Sequence, residues 1–251
     1  MIDDLARVRM VLIGVSHPGN IGSAARAMWT MGLSRLILVA PRRFPAPEAM
    51  AMASGAGDIL ENVTMTETLS EALIGCAWSV GFSARPRKFA GKVFSVREVA
   101  QAATHLLVDA GKDQEIAFVF GTEMSGLSNA ELAQCSVVAT IPANERYSSL
   151  NLAAAVQVAA YEMRVALLSD AVWRAPRFTL AKHEEVEKLF AHAQQTLIRS
   201  GFLDPGCPKR LMPRLRRLFA RTELEREEVN ILRGILSQMD KWIKLSDKKK
   251  Q

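Results

Sequence analysis

The sequence predicts an α/β domain built on a mainly parallel sheet, followed by a small all-helical extension. Three observations predict it. Short apolar runs alternate with helix-like segments through the first 168 residues, the pattern of repeated strand–helix units. That pattern stops, and from residue 180 onward the apolar residues recur at helical spacing. The charge changes at the same place: residues 171–251 carry 18 Lys and Arg against 10 Asp and Glu, whereas residues 1–170 carry 14 against 16.

Each element follows from its local chemistry. Residues 8–15 (VRMVLIGV) are long and apolar enough for a buried strand. Residues 22–31 read as a helix, with Gly32 as its C-terminal cap. Residues 35–40 (RLILVA) form a second strand, stopped by Pro41. The Ala- and Met-rich stretch 46–60 is helical, and 69–75 is a short helix before a strand at 78–82. A helix over 95–110 precedes the strand 115–120 (EIAFVF), which ends at Gly121. A short helix over 129–134, a strand over 137–141 ending at Pro142, and a long, weakly charged and therefore buried helix over 150–168 complete the domain. Residues 169–179, with Arg174-Ala175-Pro176-Arg177, read as a linker. Beyond it lie an amphipathic helix over 180–200, with Val186, Leu189, Phe190, Ala193 and Leu197 on one face, a break at 201–208, and helices over 211–220 and 225–245. The lysine tail 248–250 is expected to fray.

Composition excludes several classes. Hydrophobic residues make up 49%, so a packed core is expected and wholesale disorder is not. No apolar run approaches the roughly 20 residues of a membrane span. The first apolar run is strand-sized, which argues against a signal peptide. Cys76, Cys135 and Cys207 are widely spaced without a CxxC pair, and histidine is scarce. Neither a disulfide framework nor a metal site is expected, and a reducing cytoplasm fits. Lys209, Arg210, Arg214, Arg216, Arg217 and Arg221 form a run with no acid inside it. Such a field suits phosphate backbones; a solvated helix face is the plain alternative.

Ligands of open parallel sheets bind beyond the C-terminal strand ends. Three loops fall there. The first holds Pro18-Gly19-Asn20-Ile21-Gly22-Ser23 and leads to Arg26. It lacks the lysine of a phosphate-binding P-loop and the glycine spacing of a dinucleotide fingerprint, which argues against a P-loop nucleotidase. Gly22 is read as permitting close backbone approach, and Arg26 as a cation for a phosphate or developing oxyanion. The second, Phe120-Gly121-Thr122-Glu123-Met124-Ser125-Gly126-Leu127, places a carboxylate between glycines. Here Gly121 is expected to let a flat ligand lie on the backbone, Glu123 to orient a polar group, and Ser125 or Ser128 to cap a helix. The third runs from Ile141-Pro142 through Asn144, Glu145, Arg146, Tyr147, Ser148, Ser149, Leu150 and Asn151. Ser148 or Ser149 is expected to cap the long helix that follows.

In this order, the three loops resemble the motifs of the SPOUT superfamily, specifically its TrmH-like RNA ribose 2′-O-methyltransferases. The resemblance covers about residues 8–168. Ser83-Ala84-Arg85, the Tyr147–Ala153 stretch, Leu218-Phe219 and Asn230-Ile231-Leu232-Arg233-Gly234 are similar to the bacterial TrmJ branch, which acts on position 32 of the tRNA anticodon loop. The resemblance implies a C-terminal trefoil knot, an exception to the unknotted rule. It implies S-adenosylmethionine as methyl donor, bent in that knot against Phe82, Ser83, Ala84, Gly121, Ile141, Ser148, Ser149 and Leu150. Phe82 departs from relatives that often carry a small polar residue. A homodimer is implied, with Arg26 working across its interface.

Methyl transfer to a ribose is an in-line displacement by a poor nucleophile, so positioning and charge stabilisation carry it. Arg26 is expected to orient the hydroxyl and stabilise the developing alkoxide. A guanidinium holds its proton too tightly to be the base. Asn20 is expected to fix the substrate or Arg26, with Glu123 and Tyr147 as secondary candidates. The six basic residues of the extension would grip tRNA phosphates, with dimerisation as the competing role that its apolar faces also allow, while Trp173 and Trp242 suit core or interface packing better than base stacking. The alternatives are ribose methylation of ribosomal RNA or of the tRNA wobble nucleotide, and a noncatalytic RNA-binding protein.

Overall fold

The computed structural model describes residues 2–84, 93–109, 114–168 and 179–248. Its strands are β1 (Val8–Ile13), β2 (Arg35–Val39), β3 (Thr64–Thr66), β4 (Cys76–Phe82), β5 (Val93–Ser95), β6 (Glu115–Phe120) and β7 (Val137–Thr140). They form one seven-stranded sheet in the order β3-β2-β1-β6-β4-β7-β5, and each pairing is parallel. Helices α1 (Pro18–Met31), α2 (Pro47–Ala53), α3 (Gly57–Glu61), α4 (Leu69–Ala72), α5 (Val96–Asp109), α6 (Asn129–Leu132) and α7 (Leu152–Leu168) are interspersed with the strands.

Both faces of a parallel sheet are covered, which is why its strands read as continuous apolar runs. Met10 and Leu12 of β1 join Phe118 and Phe120 of β6 in the larger core, with residues of α1, α5 and α7. Val11, Ile13, Ala117 and Val119 point the other way, toward Leu69, Ala72 and Leu132. Helix α7 packs against both α1 and α5. Its sequence shows few charges because Val156, Ala159, Ala160 and Met163 are wholly enclosed.

Several expected boundaries move for local reasons. Helix α1 begins at Pro18, four residues early, because a proline suits the first helical turn. Asn20 and Ile21 are therefore helical rather than part of a loop. Gly32 does cap that helix, at φ 84°. The helix expected over 46–60 is broken at Ser54, which sits at φ 53°, and resumes as α3. Strands β3 and β5, three residues each, and the 3-10 turn Ile2–Arg7 carry too little pattern to be read from sequence. Arg85, residue 110, residues 169–178 with Trp173, and Lys249 and Lys250 lie outside the described residues.

The C-terminal helices are α8 (His183–Arg199), α9 (Leu211–Phe219) and α10 (Arg226–Lys248). They share a small core of Ala181, Leu189 and Val229, with Val186, Leu224, Leu232 and Leu236 packed against it. This group docks at the N-terminal end of β4. The Gly75 N–H donates to Glu184 at 3.0 Å, and Trp78, Cys135, His183, Phe190 and Arg216 line the crevice between.

Candidate active site

Strand order sets the place of the site. β6 separates β1 from β4, so chain order reverses there, and parallel strands bring Ile13, Phe120, Phe82 and Thr140 to one edge. The three loops read from the sequence leave from that edge, where a crevice is expected.

A chain of polar contacts ties the loops together. The Glu123 carboxylate accepts from the Ser16 and His17 N–H groups at 3.1–3.2 Å and from Asn20 Nδ2 at 3.1 Å. Asn20 Oδ1 in turn accepts from Asn151 Nδ2 at 3.0 Å. Asn151 Oδ1 accepts from the Ala153 and Ala154 N–H groups and so caps α7. Burial alone would push the Glu123 carboxyl up, but the hydrogen bonds from Asn20 and the Ser16 and His17 backbone outweigh it and hold it below the usual carboxylate value.

These contacts revise several roles. Asn20 was expected to hold the substrate or Arg26; its amide instead joins the second loop to the third. The cap expected of Ser148 or Ser149 is Asn151. Ser148 Oγ donates to the Ala84 carbonyl at 3.2 Å, bridging the loop after β4 to the loop after β7. Of Ser125 and Ser128, the latter caps, in a capping box with Glu131 that starts α6. Gly121 was read as room for a ligand, but a Cβ there would overlap the Gly126–Leu127 backbone of its own loop. Gly22 likewise makes room for the Ala49 carbonyl of α2 rather than for a phosphate.

Beneath the loops lies a cleft of about 280 Å³. Phe82, Ser83, Ala84, Gly121, Ile141, Ser148, Ser149 and Leu150, the positions the resemblance assigns to the methyl donor, all line it. So do Glu123, Tyr147 and Arg146. The Phe82 ring is spent on packing: it stacks on Phe120 at 4.6 Å between centroids and tilts against Phe118 at 5.4 Å. Apolar walls with a polar rim suit a flat base carrying a polar, charged tail. Arg146 carries no assigned role in the sequence, and Asn151 stands there only as one of the hydrogen-bonding groups of the third loop, not as the helix cap it is. The signal for Asn151 was its place just before an apolar helical run.

Arg26 is exposed on α1 and is not part of the cleft lining. On the extension, Lys209, Arg210, Arg214 and Arg221 are exposed, and Arg217 is half-buried. Arg216 departs from the phosphate-gripping role. Its guanidinium forks onto both Glu187 oxygens and lies 4.5 Å over the Phe190 ring, holding α9 to α8. Among the described residues no His, Cys, Asp and Glu group has a metal-binding arrangement, and no helix is long and apolar enough to cross a membrane.

Comparison with known proteins places this geometry. Residues 7–161 match the model of the SpoU rRNA Methylase family, and residues 184–250 match that of the tRNA methyltransferase TrmJ C-terminal domain. The tRNA (cytidine/uridine/adenosine-2′-O-)-methyltransferase TrmJ of Pseudomonas aeruginosa is 46% identical over 247 residues, 94% of this chain and 95% of that protein. The tRNA (cytidine/uridine-2′-O-)-methyltransferase TrmJ of Pectobacterium atrosepticum is 44% identical over 244 residues, 94% of this chain and 98% of that protein. Among solved structures, TrmJ from Z. mobilis superposes with a TM-score of 0.81 at 31% identity, over 92% of this chain and 98% of that one.

Proposed function

Because the chain belongs to the SpoU rRNA methylase family and ends in a TrmJ-type tRNA methyltransferase domain, we propose that it methylates a ribose 2′-hydroxyl of tRNA. The observation that carries this reading is the shared cleft. All eight positions matched to the donor site converge on one cavity at the edge where the sheet order reverses. The finer reading is S-adenosylmethionine as donor, cytidine or uridine at position 32 of the anticodon loop as target, a homodimer, and a cytoplasmic setting. The superfamily's trefoil knot belongs to the same reading; the Ser148–Ala84 contact supports it by holding the loop after β7 against the loop after β4. Residues 1–168 would be the catalytic domain, 169–179 the linker and 180–251 an RNA-gripping and dimer-supporting extension.

When bound, the donor supplies an electrophilic sulfonium methyl, which needs no further activation. The chain's residues do the rest. Phe82, Ile141 and Leu150 would supply apolar lining to hold it, and Ser83, Ser148 and Ser149 would supply polar atoms. Glu123 acts as a positioning residue, since its oxygens hold the start of α1 and Asn20. Helix α1 in turn fixes Arg26, whose guanidinium orients the ribose hydroxyl and its neighbouring phosphate and stabilises the forming alkoxide. Arg26 stands outside its own chain's cleft lining, which favours its serving the cleft of a second protomer. Tyr147 and Arg146 stand on the rim, where an extruded nucleotide would enter. Lys209, Arg210, Arg214, Arg217 and Arg221 would neutralise phosphates farther along the RNA.

The test is methyl transfer from isotopically labelled S-adenosylmethionine to unmodified total tRNA, followed by nuclease digestion and nucleoside mass spectrometry. A 2′-O-methylated cytidine or uridine mapped to position 32 is the expected result. Label in another ribose, or in ribosomal RNA alone, would overturn the target. No transfer to any RNA by folded protein would favour the noncatalytic reading.

A further inference from the structure

The two most exposed large apolar side chains among the described residues border the same cleft. Met124 is 91% exposed and Tyr147 78%, and both belong to the lining beneath the three loops. Exposed apolar residues are ordinary when scattered singly over a surface. Here, each stands on a turn whose backbone is fixed. Around Met124, the Gly126 N–H donates to the Thr122 carbonyl at 2.9 Å, the Thr122 and Ser125 hydroxyls share a hydrogen bond at 2.7 Å, and Gly126 closes the turn at φ 67°. Both neighbours in the loop are anchored: Glu123 holds the start of α1, and Leu127 is buried. Around Tyr147, its own N–H donates to the Asn144 carbonyl and the Arg146 N–H to Asn144 Oδ1, each at 3.0 Å. An apolar side chain held out in water adds nothing to the fold, so two of them on tethered turns at one cleft mouth point to an occupant from outside the chain.

We propose that Met124 holds the nucleobase of the methylated nucleotide by its face, beside Tyr147; the assignment rests on the ribose methylation proposed above. The occupant follows from the covalent structure of the substrate. A nucleobase is bonded to C1′, the carbon next to the one that carries the reacting hydroxyl. A ribose brought to the methyl donor in this cleft therefore brings its base to the cleft mouth. That base has left the stack of its neighbours, and contact with apolar or aromatic side chains replaces what it lost. A thioether suits the task, because sulfur is polarisable and packs well on aromatic rings. Methionine also has no N–H and no strong acceptor with which to read the edge of a base. Every base has a π-face, so this contact is alike for cytidine and uridine. Met124 thus sets how firmly the base is held and leaves the choice of base open. It takes no part in moving the methyl group or the proton.

The test removes the side chain and the base, separately and together. The labelled-transfer assay locates the target nucleotide. The tRNA is then rebuilt by ligation with that nucleotide either intact or replaced by a ribose that keeps its 2′-hydroxyl but carries no base. Label incorporation gives kcat/KM for tRNA at saturating S-adenosylmethionine, for the full-length parent, Met124→Ala and Met124→Leu. On intact tRNA, Met124→Ala should lower kcat/KM by about three- to tenfold, while Met124→Leu, which keeps an apolar group of similar volume, should stay within about twofold. On the baseless tRNA, Met124→Ala should match the parent within about twofold, because the contact it removes is already gone. Equal losses on both RNAs would overturn the inference, as would no loss on intact tRNA; either result leaves methyl transfer itself standing. A raised KM for S-adenosylmethionine in Met124→Ala, or a lost dimer in ultracentrifugation, would place the side chain against the donor or a second copy and overturn it too. A parent protein that labels no RNA would instead sink the methylation reading, and this inference with it. Met124 is exposed, so Met124→Ala should keep the parent's Tm, and the comparison is between folded proteins.

Discussion

Asn20 uses both ends of its amide inside the protein, donating a hydrogen bond to Glu123 and accepting one from Asn151. Asn20→Ala should therefore loosen the junction of three loops rather than remove one substrate contact. About 1–3 kcal/mol of stability is at stake, read by denaturant unfolding, and turnover should fall because α1 and the third loop lose their mutual reference. Unchanged stability would mean that the link is idle. Glu123 gives a pH signature. Its folded-state pKa lies below the ordinary glutamate value, so its contribution is complete above that value and is lost as pH falls through the folded pKa. Glu123→Gln should be less stable than the parent at neutral pH, and the gap should close as pH falls below the usual carboxylate range; a gap that widened on acidification would contradict this. The sequence could single out Asn20 and Glu123, since isolated polar side chains after buried strands stand out. It could not show that they serve each other. The same blindness applies to Gly121, because a glycine that makes room for its own loop is written like one that makes room for a ligand.

Helix α1 meets α2 so closely at Gly22 that a methyl group would overlap the Ala49 carbonyl. Gly22→Ala should cost about 1–3 kcal/mol, or roughly 2–10 °C in Tm by calorimetry, since two packed helices must move apart. A gain in stability, as expected for alanine in an exposed helix, would refute the close approach. In the extension, Arg216→Ala should lower stability by breaking the Glu187 fork and the Phe190 stack, whereas Arg214→Ala and Arg221→Ala should not. The strands and helices with long apolar runs were legible because burial on both sheet faces leaves a strong record. Strands β3 and β5 were not, because three residues at a sheet edge carry no periodicity. The early start of α1 was hidden by reading Pro18-Gly19 as loop punctuation when proline also opens helices.

For the whole molecule, the uneven charge makes a measurable prediction. If the extension grips phosphates, tRNA affinity should fall steeply with salt, and Arg214→Ala/Arg221→Ala should flatten the log–log slope by about 0.7–0.9 per residue removed. Arg216→Ala should leave that slope closer to the parent's, and anisotropy titrations at several salt concentrations separate the two. The order of layers was legible from strand–helix alternation, but the seating of the extension was not, because docking geometry leaves no period in a sequence. That seating makes the protein a ruler. The extension rests against Gly75 and Trp78 at the start of β4, and the cleft opens past Phe82 at its end, so about 20 Å of strand separates the seat of the extension from the cleft. If the extension grips RNA, the substrate must be large enough to reach both ends. An isolated anticodon stem–loop should then be methylated far more slowly than intact tRNA at equal concentration, with the loss in KM more than in turnover. Length of the substrate, and not its loop sequence alone, would be what this enzyme measures.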